Sequence, residues 1–196
     1  RKNLETMVAL ASDCGAQIIF LTPASNLRDF EPFKSENYHD LHGVELKYFR
    51  QLVVEANQHY QDGDFEIALQ TIDQSLAIDD LHADAQFLRA KILLALGNTK
   101  AAREAFTRAL EEDVCPLRAN EEIIKTIHDV ATEHHVPLID FSENINSLAA
   151  DQIPGDDWFL DHVHPVIGGH RLLAEMICEK LTQLDIVEPR SNWNED

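Results

Sequence analysis

A period constrains this chain more than any other feature. Moved by 34 residues against itself, the sequence sets Ala56 on Ala90, Gly63 on Gly97, Ala68 on Ala102 and Leu76 on Leu110. Ile72 falls on Phe106 and Ser75 on Ala109. Small residues recur where two helices must approach closely, and Gly recurs where the chain turns between them. A large apolar residue recurs four positions after the second small one. The spacing predicts four helices over 46–61, 65–78, 82–95 and 99–112.

This pattern resembles the tetratricopeptide repeat, a helix–turn–helix unit of that length. The likeness covers residues 46–115 and amounts to two repeats. Asp80 and Val114 stand where the Pro near a repeat's end is usual. The resemblance implies a protein partner at the repeats. Two repeats are fewer than the roughly three that stand alone, so the insert is expected to lean on the rest of the chain.

The flanks have another texture. Leu4, Met7, Val8 and Ala11 mark a helix over 3–14 that Gly15 stops. Gln17–Thr22 is a short run rich in β-formers, closed by Pro23, and reads as a buried parallel strand. Residues 23–44 lack periodicity and form a long loop. After Cys115-Pro116 come a helix over 118–135, a strand over 136–141, a short helix to Ala150 and a loop over 151–160. The loop's Trp158 and Phe159 are expected to pack. A last helix over 167–184 carries Leu172, Leu173, Met176, Ile177 and Leu181 on its core face. Each flank is too small to bury its own strand. The expectation is therefore one α/β domain from segments 1–45 and 116–187, interrupted by the insert, with a polar tail over 188–196.

Thirty-five acidic against 16 basic side chains give a formal charge of −19. That excludes phosphate-backbone binding, which needs Lys and Arg clusters, and docking on anionic lipid. No apolar run is long enough to span a membrane. Cys14, Cys115 and Cys178 are odd in number, far apart and read as buried thiols.

The densest chemistry lies in Phe159-Leu160-Asp161-His162-Val163-His164-Pro165. Asp161, three residues before His164, can hold the imidazole Nδ1–H and leave Nε2 as a base. His162 and His164 share a face as a metal pair would, but a metal needs two further ligands, so no metal or cofactor is assigned. His162 reads as a solvent-facing loop residue. His134 and His135 suit a helix C-terminus. His39 and His42 lie in the long loop.

Here the chain resembles the SGNH (GDSL-type) hydrolases, whose last block is an Asp-x-x-His before the closing helix. "DHVHP" at 161–165 matches that block. "IIFLTPASN" at 18–26, "VPLIDF" at 136–141 and "GGHRLLAEMICEKL" at 168–181 resemble the surrounding strands and helix. The resemblance implies a partial flavodoxin-like parallel sheet and a Ser-His-Asp hydrolase of a small ester or an acylated carbohydrate. His164 would be its general base and then general acid, and Asp161 would orient and stabilise the imidazolium. The Gly-Asp-Ser, Gly and Asn blocks are absent, so the nucleophile is expected upstream of Arg1. In that setting His164 Nε2 should face a cleft at the carboxyl ends of the strands, bordered by the loop 23–30. Two other readings stay open: a repeat-based interaction module on a non-catalytic scaffold, and an O-acyltransferase using the same pair.

Overall fold

The computed structural model describes residues 1–37 and 41–188. His39 and, apart from Glu188, the polar tail lie outside the described residues. In chain order the elements are α1 (Lys2–Asp13), β1 (Phe20–Leu21), α2 (Gly43–Asp62), α3 (Phe65–Leu76), α4 (Ala83–Ala95) and α5 (Thr99–Glu111). They are followed by α6 (Glu121–Glu133), β2 (Leu138–Ile139), α7 (Phe141–Leu148) and α8 (Ile167–Gln183).

Helices α2–α5 form two antiparallel pairs, and the period is visible down to single hydrogen bonds. Gly63 sits at φ 85° between α2 and α3, and Gly97 at φ 78° between α4 and α5. A Cβ is strained in that left-handed region, which is why Gly recurs there. Asp64 N–H bonds His59 C=O at 2.9 Å, and Asn98 N–H bonds Leu93 C=O at 2.9 Å, each closing the helix before it. Ala56, Ala68, Ala90 and Ala102 are fully buried. With no side chain beyond Cβ, they let the paired helices close on Ile72 and Phe106. The second pair's core also takes in Ile153, with Leu27 packed against it, so the flanking segments seal that pair.

The expected α/β class with a partial flavodoxin-like sheet is overturned. The chain is about 60% helical, and its only sheet among the described residues has two strands. These run parallel, with Phe20 beside Leu138 and Leu21 beside Ile139. Pro137 has no N–H to donate and Pro23 breaks the first run, so the two six-residue apolar segments pair over two residues each. Phe20 N–H and Thr22 N–H bond Pro137 and Ile139 carbonyls at 2.9 and 3.1 Å. α1 and α6 cover Phe20 through Leu4, Val8, Ile127 and Val130. α7 and α8 pack on Phe159 through Ile145, Leu172 and Met176. The closing helix is shallow: Gly169 is its only buried residue, and Ile177 stays 36% exposed. All three cysteines are exposed, against the expectation of buried thiols. Each lies at or near a helix end or on the outer side of α8, where no core surrounds it.

Candidate functional site

The loop before α8 folds back on itself. Leu160 N–H bonds His164 C=O at 2.8 Å, and Val166 N–H bonds Trp158 C=O at 2.9 Å. Asp161 stands at the tip of this fold. Its Oδ1 accepts from Val163 N–H at 2.9 Å and His164 N–H at 2.8 Å. Its Oδ2 lies 2.7 Å from His164 Nδ1. The His164 and Val163 main-chain N–H groups, then the His164 ring, hold the carboxyl well below the usual carboxylate range. An ionised carboxylate only accepts, so the short contact makes His164 Nδ1–H the donor, which in the neutral ring leaves the lone pair on Nε2. The sequence-predicted pair is thus brought together.

The surroundings differ from expectation. The His164 side chain is 71% exposed and lies open, not in a cleft. His162 is not a solvent-facing residue. Its ring packs between Phe30 and Phe33, with centroids 5.2 and 5.0 Å away. Loop 23–30 does border the turn: Asn26 N–H bonds His162 C=O at 3.0 Å.

Asn26, fully buried, is a hub that sequence reasoning missed. Its side chain accepts from Asp29 N–H at 2.9 Å and donates to Asp156 at 2.8 Å. Its carbonyl, with that of Phe30, accepts from Arg118 at 2.9 and 3.0 Å. Arg118 lies 3.8 Å from the carboxylate of Asp113, and both are buried. Asp113 also holds Phe33 N–H at 2.7 Å and Lys34 N–H at 3.1 Å. One period earlier, Asp79 accepts from the Asn37 side chain at 2.9 Å. Both repeats therefore use an aspartate just beyond their second helix to hold the irregular segment 26–37. The shift of 34 pairs Asp79 with Asp113, so the signal was present in the sequence.

The strand ends hold a second set. The ladder sets Thr22 beside Asp140, and Thr22 Oγ1 donates to Asp140 at 2.7 Å. His128 Nε2 lies 2.9 Å from the other Asp140 oxygen. His128, Asp140, Ser25, Ser142 and Arg103 line a cleft of about 480 Å³ beside α5. Among the described residues one trio, Glu5, Glu133 and His134, brings metal-type ligand atoms within 4.8 Å. Arg1 already pairs with both carboxylates.

Residues 53–113 match the family model described as tetratricopeptide repeat. The four buried alanines and both glycine turns fall inside that span. No curated protein and no solved structure matches the chain. The repeat match stops at Asp113, the residue that grips the segment 26–37.

Proposed function

We propose that this chain works as a protein–protein interaction module built on its pair of tetratricopeptide repeats. The repeat match over 53–113 carries this reading. The first helices of the two pairs offer period-related side chains on one face: Asn57 and Lys91 fall on each other, as do Tyr60 and Leu94. Lys91 Nζ lies 5.4 Å over the Tyr60 ring, tying α2 to α4. The partner segment is a basic one, since the chain carries a charge of −19 and complementary charge steers encounter. A photoreactive residue at position 57 tests it. The expected result is a saturable crosslink to one basic partner, weakened by added salt and not by Lys91→Glu. Labelling no stronger than that from a photoreactive residue on the outer side of α8 overturns the reading.

The Asp161–His164 geometry favours a second role at a different place, an SGNH-type ester hydrolase or acyltransferase centre. His164 then serves as base and Asp161 as its orienter. Among the described residues no hydroxyl is hydrogen-bonded to His164, so the chain alone is expected to leave p-nitrophenyl acetate unhydrolysed. Ester hydrolysis by the chain joined to a serine-bearing segment, lost on His164→Ala, supports this role. Hydrolysis that survives His164→Ala removes it.

A further inference from the structure

We propose that the repeat pair sets the position of the Asp161–His164 turn through the segment 26–37, with Asp113 and Arg118 as positioning residues. The inference rests on the second role above, because it concerns what orients that pair.

The contacts run without a gap. Asp113, just past α5, holds the main-chain N–H groups of Phe33 and Lys34. Val114 N–H adds a bond to Lys34 C=O at 3.1 Å. Arg118 ties the carbonyls of Asn26 and Phe30 from the other side. Its guanidinium also stands 5.8 Å over the Phe30 ring. The segment thus meets the end of the second repeat along both its backbone and its rings. From there it reaches His162 in three ways: the Phe30 ring, the Phe33 ring and the Asn26 N–H bond to the His162 carbonyl. His162 adjoins Asp161, and its ring lies 6.3 Å from that of His164.

These contacts are stiff where the dyad is not. Asp113 and Arg118 are 4% and 3% exposed, while His164 stands in solvent. The buried ion pair holds four backbone groups of the segment and Cys115 N–H, and leaving any of these unpaired is costly. The open imidazole is fixed by its bond to Asp161 and the edge contact with the His162 ring alone among the described residues. Orientation has to come from the backbone beneath, and that backbone is clasped by Phe30, Phe33 and Asn26.

The two period-related aspartates make the test internal. Asp113 grips the segment beside the rings that touch His162, whereas Asp79 grips it at Asn37, beyond them. Imidazole ¹⁵N and ¹³C spectra of the whole chain are recorded across pH for Asp113→Asn, Phe33→Leu and Asp79→Asn. Phe33→Leu keeps the apolar contact and all main-chain bonds, which guards against simple unfolding. The expected result is displaced His164 resonances in both Asp113→Asn and Phe33→Leu. Asp79→Asn is expected to leave both rings unchanged. Unmoved His164 resonances in Phe33→Leu overturn the proposal, as do equal shifts in Asp79→Asn. No turnover is read, so failure of the ester-hydrolase role would appear in the esterase assay and not here.

Discussion

At the residue scale, Asp161 shows how three bonds define a group's chemistry. Its ionised form accepts two main-chain N–H bonds and one imidazole bond, and the protonated form would forfeit them. A carboxyl whose folded-state pKa is depressed stabilises the fold above its unfolded value, near 3.9, and loses that contribution as pH falls toward the folded value. The turn is therefore expected to persist at pH 4. Asp161 Cγ shifts in an NMR titration check this, and a midpoint at the ordinary value would refute it. Asp161→Asn is expected to leave the fold in place and to mix the His164 tautomers, read from ring ¹⁵N shifts. The pair was legible in the sequence because it is local, three residues apart in one turn. Thr22, Asp140 and His128 were not legible as a set, because 118 residues separate the first two and only the ladder register joins them. Cysteine burial was misjudged for a related reason: residue type carries a tendency, and whether any core surrounds the position decides.

At the element scale, the repeat helices were readable because their signal is redundant. Small residues, a turn glycine and a large apolar residue all repeat together, and each is checked by the others. The two strands and their parallel sense were readable too, but their length was not, because an apolar run of six residues does not state how much of it finds a neighbour. Pro137 and Pro23 limit both strands to two residues. Overpacking tests the helix crossings: Ala68→Trp or Ala102→Trp is expected to cost roughly 1–3 kcal/mol or more in chemical denaturation. Indifference to either change would show that the crossing is loose. His82 gives α4 a pH dependence. Its Nδ1 accepts from Ala85 N–H at the helix start, and burial pushes its pKa down. The unfolded state then takes up the proton more readily, so stability is full above about pH 6.5 and falls as pH drops below it. Thermal melts of the chain and of His82→Asn, compared at pH 7.5 and 5.5, check this. The variant is expected to show the smaller difference.

At the scale of the whole molecule, the repeats and the flanks share one core. Ile153, fully buried beside Phe87 and Phe106, is the residue through which the segment before α8 enters the second repeat. Ile153→Ala is expected to lower stability by about 2–5 kcal/mol in a single urea transition. Two separated transitions would mean that the shared core is not cooperative. Such sharing supplies what two repeats lack alone, a cover for the face that a third would occupy.

The distance along the chain between β1 and β2 has a consequence for how the protein comes to be folded. Contacts inside the helix pairs are local and form early, whereas pairing Thr22 with Asp140 closes a loop of 118 residues. Docking of Phe33 and Lys34 on Asp113 draws both ends of that loop together once the helices exist. Closure entropy grows with the logarithm of loop length, at about 0.6 kcal/mol per doubling, so the prior docking cheapens the last step. The clamp at Asp113 is thus a staging point in assembly. Slowing it should delay the ladder while leaving the helices' own formation rate untouched.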